Sequence, residues 1–315
     1  VERSRGLGDV YKRQTLNTSP TTPNPKPSDT VKRIALVIGA AGFIGRHVCR
    51  AMASRGFTVH GVGHGDWQEE ERISFGVEHW LASDITLESL RLAVHGNSPE
   101  VVLHCAGSGT VAHSYQSPAS DFDRSITTTL AALEFMREQP RQTCFVLASS
   151  AAVYGDQGHL DIVEQAPLNP ISPYGFHKMM AEQLCESYQR FFDINTRIVR
   201  LFSVYGESLK KQLLWDAANK FSHGKNMFFG TGEEMRDWIH VEDAAHLLAL
   251  AATAPTKKHV IYNGGHTKAT TRQVLNVLAR ASGVTDEPQF SGEVHAGNPM
   301  PVSYTHLRAH ETSLH

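Results

Sequence analysis

Tyr174 and Lys178 stand four residues apart in the run Ser172-Pro-Tyr-Gly-Phe-His-Lys178, and Ser150 lies upstream in Ser149-Ser150-Ala-Ala-Val-Tyr154-Gly155. A spacing of four places two side chains one turn apart on the same face of a helix. Such a pair has a chemical use as an acid or base. A phenol with a pKa of about 10 is a poor base at neutral pH, but a neighbouring ammonium cation favours the phenolate and draws that pKa down. A serine after a strand of a parallel sheet stands where such sheets present residues to a ligand. Each piece alone is weak, because the Tyr-Lys spacing is common on exposed helices and a serine after a strand is as often a turn residue. A third piece changes their weight: Gly39-Ala-Ala-Gly42-Phe43-Ile44-Gly45 lies between an apolar run and a helical one. Glycines there let the backbone approach a diphosphate, and the helix that follows offers free N–H groups and a partial positive charge. The competing reading is a glycine turn that only packs helix on strand.

These residues need a frame that brings them together, and the periodicity supplies one. Short continuous apolar runs at Ile34 to Ile38, Thr58 to Val62, Val77 to Leu81, Val101 to Cys105, Thr143 to Leu147 and Thr196 to Leu201 read as buried strands. Helical stretches at Ile44 to Ser54, Leu87 to Val94, Asp121 to Glu138 and Tyr174 to Phe191 alternate with them. This alternation predicts an α/β, Rossmann-type doubly wound parallel sheet, whose ligands gather at the carboxyl ends of the strands. Beyond Leu201 the alternation loosens, with helical stretches at Gln212 to His223, Val241 to Ala252 and Thr271 to Ser282 and short strands at Met227 to Phe229 and Val260 to Asn263. Residues 31–202 are therefore expected to form the nucleotide-binding domain with the reactive residues. Residues 203–301 should make a smaller substrate lobe interleaved with it.

Composition narrows the partners. A net charge of -2 gives no basic field for nucleic acid, and no apolar run reaches the roughly 18 residues that a membrane-spanning helix needs. Cys49, Cys105, Cys144 and Cys185 are scattered without CxxC spacing, so reduced, buried thiols and a cytoplasmic setting are expected. The 18 histidines form no HExxH or Cys/His cluster, so no metal site is expected. The two ends carry a different signature. Ser4 to Gln14 (SRGLGDVYKRQ) and Val302 to Thr312 (VSYTHLRAHET) are related through opposite strands of one DNA sequence read in shifted frames. Residues 1–14 and 302–315 accordingly read as translated adapter. Residues 15–30 are Pro/Thr/Ser/Asn-rich and read as a disordered leader, and the native C-terminus is expected to be missing after Pro301.

Taken jointly, the GxxGxxG loop, SSAAVYG and SPYGFHK, in this order and spacing, resemble the extended short-chain dehydrogenase/reductase family, of the NAD-dependent epimerase/dehydratase type, over nearly all of Ile34 to Pro301. The resemblance implies that Ser150, Tyr174 and Lys178 are catalytic. It further implies a dinucleotide held by Gly39, Gly42, Phe43, Ile44, Gly45, Gly63, His64, Asp84, Ile85, His104 and Ala106 as well as by Tyr174 and Lys178. A cationic nicotinamide would add to Lys178 in lowering the Tyr174 pKa. NAD and NADP stay open, since Gly63-His64-Gly65 stands where NAD-binding members carry Asp, and no carboxylate there grips the ribose or repels a 2′-phosphate. Asp84 reads equally as an adenine-edge residue or as part of a helix cap through Thr86, and His104 equally as a packed strand residue. Arg200-Leu-Phe-Ser203-Val-Tyr-Gly and Met235-Arg236-Asp237-Trp-Ile-His240-Val match the motifs of sugar-nucleotide members, which implies a nucleotide-sugar substrate touched by Ser203 and Arg236. Arg236 is alternatively an ion-pair partner of Asp237 or Asp243, and Ser203 replaces the Asn of many epimerases.

Dehydratases of the family carry Thr-Asp-Glu before VYG and decarboxylases a Glu, whereas this chain has Ser150-Ala151-Ala152. The resemblance therefore implies a sugar-nucleotide 4-epimerase working through a 4-keto intermediate with bound NAD(P). An NAD(P)H-dependent 4-keto-sugar reductase and a non-catalytic nucleotide sensor or scaffold of the same fold are the alternatives. Relatives pair through helices matching Asp121 to Glu138 and Tyr174 to Phe191, which implies a homodimer. Leu130, Phe135 and Phe192 suit that face and suit core packing equally.

Overall fold

Five consecutive apolar residues, Ile34–Ile38, form β1, and all five are buried because the sheet is covered on both faces. The computed structural model describes residues 32–157, 162–255 and 259–293. The expected adapter segments, the leader and the approach to Pro301 lie outside the described residues. In chain order, β1 is followed by α1 (Phe43–Ala53), β2 (Thr58–Gly63), α2 (Glu69–Ser74), β3 (Val77–Ala82), α3 (Leu87–Ala93) and β4 (Val101–His104). Next come α4 (Val111–Gln116), α5 (Pro118–Phe122), a π turn at Asp123–Thr127, α6 (Thr128–Arg137), β5 (Cys144–Ser150), a single 3₁₀ turn at Ala151–Val153, α7 (Pro173–Phe192) and β6 (Asn195–Leu201). The remainder is β7 (Ser203–Tyr205), α8 (Gln212–Ser222), β8 (Met227–Phe228), β9 (Met235–His240), α9 (Val241–Thr253), β10 (Val260–Gly264), β11 (Thr267–Thr270), α10 (Thr271–Ala281) and β12 (Gln289–Phe290).

The seven-stranded sheet runs β10-β6-β5-β4-β1-β2-β3 with every pairing parallel, which is the expected doubly wound order. Winding proceeds outward from β1 in one direction to β3 and then in the other from β4. The crevice between the carboxyl ends of β1 and β4 is therefore the topological switch point, where such sheets bind ligands. One apolar cluster on one face joins α1 and α9 to the strands, through residues such as Val48, Met52, Val146 and Leu248. A second on the opposite face joins α3, α6 and α7, through Leu90, Leu133, Phe145 and Cys185.

Several elements differ from the sequence reading, each for a physical reason. β5 runs on through Ser149 and Ser150 because β6 pairs with it along its whole length, from Cys144↔Asn195 to Ser150↔Leu201. Tertiary pairing there overrides the polarity of the two serines. The helix expected over Asp121 to Glu138 is present but starts earlier, running without a break from Pro118 to Arg137 through α5, the π turn and α6. α2 buries none of its residues and so had no apolar period to betray it. Leu130 and Phe192 are exposed, whereas Phe135 is core. The chain after Ser203 is split in destination: α9 and β10 join the main sheet, while β11-β9-β7 form a small sheet of their own and α8, α10, β8 and β12 share a separate small core. Cys49, Cys105, Cys144 and Cys185 are free thiols. Among the described residues no helix is long and apolar enough to cross a membrane, and no cluster of three His, Cys, Asp or Glu side chains is placed to hold a metal ion.

Candidate active site

The loop between β1 and α1 is built so that backbone meets backbone. Gly39 has φ +80°, and a Cβ on it would lie 2.6 Å from the Ala106 nitrogen, so glycine alone lets β1 end against the segment that follows β4. A Cβ on Gly45 would fall 2.0 Å from the Gly39 carbonyl oxygen, which closes the turn at its other end. Gly42 is the N-cap of α1 and offers no side chain to the first-turn N–H groups, and that turn holds no acidic residue. Free donors, a positive helix end and room for close approach fit a dinucleotide diphosphate in the β1/β4 crevice. Phe43 and Ile44 open the helix itself.

The adenine end of such a ligand would reach the ends of β2 and β3. Gly63 packs against Gly39, with its added Cβ 3.3 Å from the Gly39 Cα. His64 and Asp84, which follow these two strands, meet each other in solvent at 2.5 Å between Nε2 and Oδ1. The cap of α3 belongs to Thr86, whose hydroxyl accepts from Ser89 N at 3.1 Å in a capping box, while Asp84 contributes only its carbonyl to Ser89. The Asp84 side chain is thus exposed beside His64, and Ile85 packs on the second core. His104, at the end of β4, is wholly buried. Thr129 donates its hydroxyl proton to Ser125 O and so accepts from His104 Nε2 at 3.1 Å. Burial, with the Lys178 cation adding to it, pushes the His104 pKa down to about 3, so the ring is neutral.

Beyond β5, three side chains converge. Ser150 ends the strand and caps the 3₁₀ turn, accepting from Ala152 N at 3.2 Å, and its hydroxyl lies near enough to the Tyr174 phenol to pull the phenol's pKa down. Tyr174 sits in the first turn of α7, which starts at Pro173 behind the N-cap Ser172, itself accepting from Gly175 N at 3.1 Å. The docking of this helix on the 3₁₀ turn rests on Gly175, where an added Cβ would lie 2.5 Å from the Ala152 carbonyl oxygen. One turn along, the Lys178 ammonium is buried and donates to Ala148 O at 3.1 Å, close above Gly107. The fold adds an influence that spacing alone does not show. Burial pushes the Tyr174 phenol up, the Ser150 hydroxyl opposes this and the Asp121 carboxylate adds to it. Desolvation of the phenolate is thus the largest influence on Tyr174, and burial likewise lowers the pKa of Lys178.

Behind this trio lies a buried polar network that the sequence reading did not find. Arg200 makes a bidentate pair with Glu182, with side-chain exposures of 3% and 5%, and donates to the Tyr154 hydroxyl at 2.7 Å. Tyr154 in turn donates to Asn263 Oδ1 at 2.7 Å, and Ser149 donates to Glu182 at 2.5 Å. The network ties β5, α7, β6 and β10 into one unit directly under Ser150. Glu182, an acid one turn beyond Lys178, was its legible signal. Asp121 and His177, described below, were also not foreseen.

Ser203 and Arg236 stand on the small sheet. Ser203 follows β6 by two residues past Leu201, the register partner of Ser150, and pairs with Trp238. Arg236 lies two residues before Trp238 on β9, beside Ala269 of β11. Its neighbour Asp237 is buried and accepts from His266 N at 2.6 Å over Gly265. The chain thus carries Ser203 just past the end of β5, with Arg236 on the neighbouring strand β9, two residues from the register partner of Ser203.

A family model described as the NAD dependent epimerase/dehydratase family matches residues 35–265. The chain is 28% identical over 286 residues to a UDP-glucose 4-epimerase of Lactobacillus helveticus, covering 84% of this chain and 86% of that protein. It is 30% identical over 284 residues to an uncharacterized UDP-glucose epimerase of Bacillus subtilis, covering 84% and 86%. The UDP-glucose 4-epimerase of Thermus thermophilus, solved in complex with NAD, superposes with a TM-score of 0.76 at 26% identity, over 86% of this chain and 89% of that one. The glycine cradle at the switch point, the order of strands around it and these matches lead to one conclusion: the chain is an enzyme of the NAD dependent epimerase/dehydratase family.

Proposed function

We propose that the protein is a sugar-nucleotide 4-epimerase, with Ser150, Tyr174 and Lys178 as its catalytic residues. The observation that carries this reading is the meeting of Tyr174 with Ser150 at the carboxyl end of β5, one helical turn from Lys178 and facing the glycine cradle of β1. A dinucleotide bound there supplies a hydride acceptor and donor. Tyr174, as a phenolate favoured by Lys178 and by the cationic nicotinamide, would take the proton of the sugar hydroxyl and later return it, Ser150 would hold the reacting oxygen, and Lys178 would bind the ribose of the dinucleotide. Ser203 and Arg236 contact the substrate, Arg236 through a planar fork of donors suited to a diphosphate. Residues 203–293 serve as a substrate lobe around the small sheet, while α9 and β10 anchor it in the main one.

The matched relatives named as UDP-glucose 4-epimerases support UDP-hexoses as the first substrates to test. The outer face of α5, the π turn, α6 and α7 leaves Phe122, Leu130, Phe176 and Met180 exposed, which supports pairing with a second copy across these helices. The test starts from protein purified without added dinucleotide. Denaturation and mass spectrometry should release about one NAD per chain, and the intact protein should interconvert a UDP-hexose with its 4-epimer without net consumption of dinucleotide. Stoichiometric consumption of NADPH with a 4-keto sugar would replace this reading by a reductase, and protein that binds neither dinucleotide would remove catalysis altogether.

A further inference from the structure

Asp121 is a carboxylate with no exposed surface, carried on α5 against the first turn of α7. His177 donates from Nδ1 to its Oδ2 at 2.5 Å, and Phe122 closes over the imidazole edge-to-face at 5.5 Å. The other carboxylate oxygen, Oδ1, is buried without a hydrogen-bond partner. A buried, half-satisfied carboxylate is expensive to keep, and packing alone would be served better by an apolar side chain. Its position explains why it is worth keeping. His177 lies between Tyr174 and Lys178 in sequence, so the pair clamps the turn that presents both, and the Asp121 charge reaches each of them.

We propose that Asp121, held in place by His177, is a positioning residue that sets the charge balance of the Tyr174–Lys178 pair. This rests on the catalytic reading of that pair given above. A fixed negative charge disfavours the phenolate and favours the ammonium, so Asp121 keeps Lys178 charged at the cost of a more basic Tyr174. The direction agrees with its effect on both groups, raising each. Other ionisable groups on the elements packed against α7 are His113 and Tyr115 of α4, Asp123 and Arg124 of the π turn, Glu134 and Arg137 of α6, Cys144 of β5, and Arg197 and Arg200 of β6, the latter already neutralised by Glu182. Cys105 after β4 also acts on Lys178. Of all these, Asp121 alone acts on both Tyr174 and Lys178.

The test compares Asp121→Asn and Asp121→Glu with the parent in NAD-loaded protein. Tyr174 is titrated directly as the phenolate absorbance lost in Tyr174→Phe counterparts, and the pH profile of kcat/KM is recorded beside it. Asp121→Asn should lower the Tyr174 midpoint and move the acidic limb of kcat/KM down by on the order of 1 pH unit. Asp121→Glu, which restores the charge, should return both toward the parent. A less stable Asp121→Asn protein whose Tyr174 midpoint does not move would overturn the proposal, as would an Asp121→Glu protein that titrates like the Asn variant. Should no sugar nucleotide be turned over while the phenol midpoint still shifts, the epimerase reading fails and the charge-setting role of Asp121 stands.

Discussion

Replacing Gly175 by alanine tests whether the seat of α7 on the 3₁₀ turn places the reactive tyrosine. The new Cβ would stand 2.5 Å from the Ala152 carbonyl oxygen and 2.9 Å from the Pro170 Cβ, where ordinary contact begins at 3.4 Å. The obstacle is mainly backbone, so the first turn of α7 must lift by about 0.9 Å, the difference between 3.4 and 2.5. Overpacking of this kind costs about 1–3 kcal/mol, small enough for the domain to stay folded. Misplacement of a reacting group by about 1 Å costs on the order of 100-fold in rate. Gly175→Ala should therefore lower kcat for a UDP-hexose about 100-fold with little change in KM, and shift the urea midpoint only modestly. Gly283→Ala is the control, since Gly283 has φ +73° but open space around its Cβ position, so it should lose about 1 kcal/mol and no activity. A Gly175→Ala enzyme within threefold of the parent kcat would refute the reasoning.

Three further outcomes follow from the same structure. Gly39→Ala forces a Cβ onto the Ala106 backbone at a positive φ, so the purified variant should carry no dinucleotide while its circular dichroism stays close to that of the parent. Glu182→Gln leaves the buried Arg200 guanidinium without its counter-charge and should cost about 3–5 kcal/mol in urea unfolding, whereas the double replacement Glu182→Met with Arg200→Met should recover much of the loss; equal losses in the two would contradict a paired role. His104 stays neutral in the fold down to about pH 3, whereas an unfolded histidine takes a proton below about 6.5. A histidine whose folded pKa is depressed favours the unfolded state as pH falls through that window, so it withdraws about 1.4 kcal/mol of stability per pH unit between about pH 6 and about pH 4. Unfolding free energies of His104→Gln measured across this range should be flatter with pH by about that slope, and an unchanged slope would place the titration elsewhere.

The continuous apolar runs, the helices between them and the three motifs were legible because each is local: a buried parallel strand shows as an unbroken apolar run, and a diphosphate loop as glycines between strand and helix. Residues 34–63 appear in the structure almost as the chain suggests, with β1, α1 and β2 within one residue of their expected ends. Small elements without a buried face were not legible, as α2 shows. Nor was the destination of Val260–Gly264, whose residues read as a short strand but whose partner, β6, lies far back in the chain.

The sequence by itself set out the alternation of strands and helices and the glycine loop between β1 and α1, and it singled out Ser150, Tyr174 and Lys178 as candidates, since residue type and spacing suffice for these. Only the tertiary structure decided how the trio is held and charged. The Glu182–Arg200–Tyr154–Asn263 network joins residues from four separate elements, and Asp121 reaches His177 across two helices. The same folding that brings Tyr174 to Ser150 buries it, and burial acts on the phenol in the direction opposite to that expected of Lys178 and a bound nicotinamide cation. Desolvation depends on everything packed around a group and not on its neighbours in the chain, so its balance against a nearby cation is set by the fold.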